Sequence, residues 1–309
     1  MNRFDYVLRV VVSVGLLAGL AWWLELGVLV SRLAALRLPW VLLAFGISVA
    51  QVAVLAWRWS FTAQRLGVSL PFLVAWKEYY LSIFLNQVLP GGVVGDVTRA
   101  WRQARSQHHL REPGGPAVRA VIFERLSAQA VMTTVAVVSL LFLPIAVDQR
   151  SWSIIVAAGF LATTIVVAAV VWTRRQSLVG SLPGRVMSEV GAAHLSLPAF
   201  TVQAVTAVVV VSTYLATYLV AAKAIGVDIS VLVLLPLVGP VLMSMLIPVT
   251  VAGWGLREGV AAVLWGAAGL TAGDGVVVSV AYGLLVLLGS LPGAVLLLAT
   301  GERSLFRSR

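Results

Sequence analysis

Apolar runs along the chain have the length of a bilayer crossing. A spanning helix needs ~20 mostly apolar residues, and such runs cover Val7–Val30, Pro39–Trp57, Val118–Val147, Trp152–Trp172, Ala199–Ala222 and Val231–Val249. The last third adds a short run, Gly259–Leu270, and a long one, Val276–Ala299. Between the second and third runs lies Phe72–Leu89, equally apolar but carrying Lys77, Glu78, Asn86 and Gln87. The first run is too long for the ~7–15-residue core of a cleaved signal peptide. The pattern predicts an all-α polytopic membrane bundle, with residues 1–309 as a single transmembrane domain and no soluble domain between or after the spans.

Composition closes the alternatives. Of the 309 residues 60% are apolar and 11% charged, against ~25% charged in soluble domains, and the mean hydropathy is +0.99. There is no cysteine, which excludes thiol catalysis and Cys-ligated metals. His108 and His109 share a basic loop without a partner at ligand spacing, and His194 stands alone, so no metal site is expected. The net charge of +10 fits Lys and Arg gathered in cytoplasmic loops rather than a nucleic-acid surface.

Charge also orients the spans. With both termini cytoplasmic and Phe72–Arg105 entering and leaving on one side, eighteen of the 22 Lys and Arg fall on the cytoplasmic side, leaving Arg32, Arg37, Arg150 and Lys223 outside. A full crossing by Phe72–Leu89 would put the densest basic loop outside or reverse its neighbours. The expected architecture is therefore eight full spans plus a re-entrant hairpin with broken helices, in a bacterial-type inner membrane. Tryptophans such as Trp22, Trp40, Trp57 and Trp172 lie near the expected span ends, as in interfacial belts.

Two segments carry polar chemistry. In the first, a helix is expected to stop before Pro90, Gly91, Gly92 and Gly95 to permit a turn, and Asp96 to cap the next helix. Arg99, Arg102 and Arg105 follow at i, i+3 and i+6 along one helical face. Two readings stay open: arginines reaching bulk lipid phosphate, or a helix terminus and guanidinium groups built to bind a phosphate-bearing headgroup. In the second, Pro236 and Pro240 kink the apolar run, Pro248 closes it, and Gly253, Gly255, Arg257, Glu258 and Gly259 follow. An Arg and a Glu in a membrane should face protein or water; a salt-bridged loop and a polar cavity both satisfy that. Glu124 and Arg125 open the Val118 span, either as interfacial anchors or as part of the same cavity. The two segments share the order proline, glycines, acid and Arg. On the expected topology both open from the cytoplasm, so the likeness does not amount to an inverted repeat.

The motif Asn86…Pro90-Gly-Gly-x-x-Gly-Asp96-x-x-Arg99, the pair Glu124-Arg125 and the late Gly253-x-Gly255-x-Arg257-Glu258 resemble, in order and spacing, a flippase-like family. That family is similar to the membrane region of bacterial lysylphosphatidylglycerol synthases, the multiple peptide resistance factors. The resemblance implies an inner-membrane protein that moves a lipid between leaflets, with Asn86, Asp96, Arg99, Glu124, Arg125, Arg257 and Glu258 as site residues. The synthases carry a soluble aminoacyl-transferase domain after the membrane region and this chain stops at Arg309, so an enzyme making aminoacylated lipid is not expected.

The function expected is a translocator of a phosphate-bearing lipid or polyprenyl-phosphate-linked glycolipid. Arg99, Arg102 and Arg257 would hold the headgroup in a polar cavity open to the cytoplasm, with Asp96 and Glu258 orienting the arginines. No Walker motif is present and no cofactor is called for. Partners would be anionic or phosphate-bearing lipids and enzymes of a lipid or glycan pathway. The alternative is a non-catalytic scaffold for a lipid- or glycan-modifying enzyme.

Overall fold

The structure, a computed structural model, describes residues 3–23, 26–89, 93–105, 115–143, 197–247 and 250–300. Every regular element among them is helical. In chain order these are α1 (Arg3–Trp23), α2 (Leu26–Ala34), α3 (Leu38–Arg65), α4 (Phe72–Val88), α5 (Val94–Arg105), α6 (Gly115–Leu141), α7 (Leu197–Ala224), α8 (Val231–Met243), α9 (Leu256–Ala267) and α10 (Ala272–Thr300).

Four helices, α3, α6, α7 and α10, are long and apolar enough to cross a membrane. At 1.5 Å per residue each exceeds the ~30 Å hydrocarbon core. This is an integral membrane bundle, but eight full spans is more than the described residues form. The expected Val7–Val30 span bends by 94° between the α1 and α2 segments. The expected Trp152–Trp172 span lies outside the described residues. The Val231–Val249 run is no crossing, because α8 stops at Met243 after about 20 Å. Pro236 and Pro240 sit inside it, where each lacks a donor and crowds the preceding turn. A short 3-10 turn, Ser244–Leu246, follows. Beyond Thr250 the chain reverses through positive φ at Ala252, Gly253 and Gly255 (49°, 82° and 86°). The twelve-residue α9 then runs back along α10, with Arg257 beside Gly283 and Trp265 beside Gly275, toward the end from which α8 came.

The long helices share two ends. At one, the Arg37 N–H at the start of α3 donates to the Ala224 carbonyl at the end of α7 (3.0 Å), and Arg32 pairs with Asp274 at the start of α10. At the other, Gln203 near the start of α7 donates to Thr62 near the end of α3 (2.7 Å), and Ser127 in the first half of α6 donates to Gln203 (3.3 Å). The short helices enter from opposite ends. The α4–α5 pair begins beside the Thr62 end, where Ser60 donates to the Leu70 carbonyl, and α4 passes Gly293 near the end of α10. Its tip residue Gln87 lines one cavity with Ser48 and Leu285, midway along α3 and α10. The α8–α9 pair begins beside the Ala224 end. Gly239 of α8 lies against Ala136 and Ser139 near the end of α6, and Met243 at its tip reaches Gln129.

Among the described residues, α3–α6 and α7–α10 are thus two four-helix units with the same plan, preceded by α1 and α2. Their helices have 28, 17, 12 and 27 residues, and 28, 13, 12 and 29. Each unit runs long, short, short, long, and the two hairpins point toward each other. The expectation that both polar segments open from one side is corrected: the Pro-containing α8 is too short to carry the second segment across. Each hairpin has its own apolar core. Trp59, Leu70 and Tyr79 belong to the first, and Leu237, Trp265 and Tyr282 to the second.

Because the chain has no cysteine, single-cysteine variants read this plan directly. A membrane-impermeant thiol reagent should label Asp228→Cys and Thr271→Cys from one face and Ser69→Cys from the other. Ile247→Cys, at the turn of the second hairpin, should label from neither. Labelling of Ile247→Cys from the Ser69 face would restore a full crossing by the Val231–Val249 run.

Candidate functional site

The first hairpin closes over a buried charge cluster. Helix α5 begins at Val94, so Asp96 is its third residue rather than its cap. The cap comes from α4: the Asn86 side-chain oxygen accepts the Gly95 N–H (2.7 Å), satisfying one of the donors a helix start leaves open. The other end of Asn86 donates to Asp96 (3.0 Å). Gly95 is where α5 crosses α4, and a Cβ there would overlap the Ser82 carbonyl. Its part is close approach. Pro90, Gly91 and Gly92, expected to form the turn, lie outside the described residues.

Asp96 also accepts from Arg99 Nε (3.0 Å), Ser82 Oγ (3.3 Å) and Arg125. Arg99 is fully buried. Its Nη2 meets Asp96 and, from α6, Glu124, both at 3.0 Å. Its guanidinium carbon stands 4.6 Å from the Trp59 ring centre and 4.1 Å from that of Tyr79. Aromatic faces attract such a cation, the more so where it is desolvated. Glu124 further accepts from the Tyr79 hydroxyl and lies 3.6 Å from Arg58 Nη2, and Arg58 also donates to the Glu124 backbone carbonyl. Three arginines and two carboxylates are gathered here from α3, α5 and α6, and only Arg125 has a substantially exposed side chain (47%).

The second hairpin carries a smaller version. Arg257 and Glu258, side by side at the start of α9, are both buried. Arg257 Nε donates to Glu258 and to Ser279 of α10, each at 3.0 Å. The other Glu258 oxygen accepts the Gly255 N–H (2.6 Å), closing the helix start with a carboxylate where the helix dipole favours one. Trp254 and Tyr282 flank the guanidinium, with ring centres at 5.0 and 5.1 Å. Gly255 combines a positive φ with a close approach, since a Cβ would come 2.5 Å from Leu16 of α1. Each hairpin therefore buries one arginine between a Trp and a Tyr and neutralises it with an acid at a helix start.

Beside the tip of the first hairpin, α3, α4, α7 and α10 line a cavity of about 60 Å³ that has Ser48, Gln51, Gln87, Tyr214 and Thr217 among apolar neighbours. That is room for a few waters with polar groups to hold them.

The structure brings Asn86, Asp96, Arg99, Glu124 and Arg125 together. Arg257 and Glu258 form a separate cluster reached from the opposite end, so no single cytoplasmic cavity holds both arginines. Arg99, Arg102 and Arg105 do not share a face. Three residues advance a helix by 300°, so the row drifts by 60° per step. Arg102 pairs with Glu78 at the rim (2.7 Å), and Arg105 lies over Trp101 (3.7 Å). Sequence reading missed Arg58, Trp59 and Tyr79 in the first cluster, and Trp254, Ser279 and Tyr282 in the second. Arg58 falls among the eighteen basic residues assigned to the cytoplasmic side because the apolar run ends at Trp57, yet α3 continues to Arg65. The polar but unbroken stretch Ser60–Gln64 was the available signal.

A profile of the family described as the lysylphosphatidylglycerol synthase TM region matches residues 6–293. No curated protein and no solved structure matches the chain.

Removing one partner from a buried ion cluster leaves an uncompensated charge and costs ~3–5 kcal/mol. Arg99→Ala should therefore lower unfolding stability in detergent by about that amount, whereas Arg102→Ala at the rim should cost at most about 1 kcal/mol. Gly95→Ala should destabilise by roughly 1–3 kcal/mol through overpacking. Equal melting of Arg99→Ala and Arg102→Ala would show that the first cluster is solvated.

Proposed function

Taking as premise that the chain belongs to the lysylphosphatidylglycerol synthase TM-region family, whose name ties it to membrane lipid, we propose that it moves a phosphate-bearing lipid between leaflets of the inner membrane. The observation that carries this reading is the pair of half-depth hairpins inserted from opposite ends. Paired interrupted helices in two halves of a chain are the common plan of transporters that expose one central site to alternate sides. Here a small cavity lies at the tip of the first hairpin, with Ser48, Gln51, Gln87, Tyr214 and Thr217 among apolar neighbours. The first hairpin is fastened to α6 by an ion pair to Glu124, and the second to α10 by hydrogen bonds of Arg257 and Glu258 with Ser279.

In this reading the clusters are latches. Arg99 and Arg257 are neutralised by Asp96, Glu124 and Glu258 in the closed form. An anionic headgroup competes for them once a hairpin loosens, while the acyl or prenyl chains stay in the bilayer. Phosphate suits a guanidinium because two N–H groups can meet two oxygens. The end that holds Arg65, Lys77, Arg102 and Arg105 is cytoplasmic, since basic residues gather there, and both termini lie on that side. The chain acts without an enzyme's covalent chemistry, and its partners are anionic lipids.

The test is reconstitution into liposomes with fluorescent phosphatidylglycerol or phosphatidylcholine in trace amounts. Phosphatidylglycerol in the inner leaflet should become accessible to an external quencher several-fold faster than in empty vesicles, and faster than phosphatidylcholine. Arg257→Lys, which keeps the charge and loses the two-pronged geometry, should slow transfer more than it lowers the melting temperature. Rates equal to those of empty vesicles for every probe would leave the scaffold reading in place.

A further inference from the structure

Glu124 is an acid from α6 set among donors of three other helices. Its carboxylate faces Arg58 of α3, the Tyr79 hydroxyl of α4 and Arg99 of α5, while Glu124 itself comes from α6. These donors have capacity to spare. Arg58 Nε and Nη1 and Arg99 Nη1 are buried with no hydrogen-bond partner among the described residues. Buried donors are nearly always paired, so an acceptor with more oxygens than one carboxylate fits this place. The cluster also carries one cation more than it has anions. The second hairpin shows no such surplus, since Arg257 distributes its three nitrogens over Glu258, Ser279 and Met245.

We propose that Glu124 is a tethered substitute for the lipid's phosphodiester, and that the headgroup takes its place on Arg58 and Arg99 while Glu124 takes up a proton. The proposal rests on the translocation reading and supplies it with a coupling ion. A carboxylate displaced from its arginines into apolar surroundings is an unpaired buried charge, which is avoided by protonation. The exchange balances: one phosphodiester monoanion and one proton enter together, the only bond made is O–H on Glu124, and the net charge of the cluster is unchanged. The Tyr79 hydroxyl passes its hydrogen bond from the carboxylate to a phosphate oxygen, and the spare nitrogens of Arg58 and Arg99 gain acceptors. The other charged groups stay in place. Asp96 keeps Asn86, Ser82 and Arg125, with Tyr214 of α7 nearby, and Arg102 keeps Glu78 at the rim. The arginine cluster of the first hairpin thereby binds lipid in proportion to proton supply.

The experiment is calorimetric titration of the purified full chain in maltoside detergent with short-chain phosphatidylglycerol, and separately with inorganic phosphate, in buffers of different ionisation enthalpy between pH 5.5 and 8. The expected result is uptake of one proton per lipid bound and an affinity that falls as pH rises, by up to about tenfold per pH unit. Glu124→Gln should bind at least as tightly as the wild type at pH 5.5, without proton uptake or pH dependence. Glu124→Asp, which retains a titrating carboxyl, should keep both. Arg58→Gln should bind at least about tenfold more weakly at every pH. Lipid binding without proton uptake by the wild type would overturn the proposal, as would undiminished uptake by Glu124→Gln. Inorganic phosphate binding as tightly as the lipid would overturn the headgroup assignment. A protein that takes up the proton with the lipid but moves none across a bilayer would lose the translocation reading and keep this site.

Discussion

A guanidinium group buried inside a membrane bundle has to be neutralised within its own reach, and much of this fold follows from that demand. Arg99 and Arg257 each belong to a helix too short to cross, Arg99 in its middle and Arg257 at its start. Each is flanked by a Trp and a Tyr and held by an acid at a helix start. The acid serves twice, because a helix that begins at depth also exposes backbone N–H groups. Glu258 accepts one directly. In the first hairpin Asn86 does so, and links that contact to Asp96. Broken helix at membrane depth is tolerated only where protein or water receives its free groups, and these clusters are the reception.

The same contacts fix the relation between the hairpins and the long helices. Glu124 ties α6 to the first hairpin by an ion pair with Arg99, whereas Ser279 ties α10 to the second by hydrogen bonds with Arg257 and Glu258, whose own ion pair lies within α9. The glycines at the crossings make those contacts short. Gly95 lets α5 lie on α4, and Gly255 lets the second turn press on α1. A lipid headgroup bearing phosphate offers the arginines the kind of partner they already have. In the translocation we propose, the free energy lost on opening the first hairpin is recovered on binding the headgroup, so that no charge is stranded.

Much of this was legible in the sequence, and the exceptions have physical causes. Membrane class, helical architecture and the broken segment around Asn86–Arg99 follow from hydropathy and from Pro-Gly spacing. The acid and arginine partners Asp96, Arg99, Arg257 and Glu258 were legible as types, because charge inside an apolar run requires a reason. Which acid meets which arginine was not. Glu124 is 25 residues from Arg99, and only the packing of α6 on α5 joins them. Arg58 was hidden because an apolar run that ends at a Trp looks the same whether the helix stops or continues. The opposite entry of the two hairpins was missed because a hydropathy window cannot tell a nineteen-residue apolar run from a thirteen-residue helix followed by a turn. The prolines at 236 and 240 held the distinction. They read as kinks in a span, but the helix they interrupt stops short of one.

The central claim is that the two hairpins are latches at opposite ends that open in alternation around one site. Distances between pairs of spin labels in lipid nanodiscs test it most directly, with one pair at Lys77 and Leu298 and a second at Leu232 and Leu38. The account predicts that adding phosphatidylglycerol to a phosphatidylcholine disc populates a longer Lys77–Leu298 distance while Leu232–Leu38 stays short, and that some molecules show the converse. Both distances lengthening in the same molecules, or neither responding to the lipid, would contradict it.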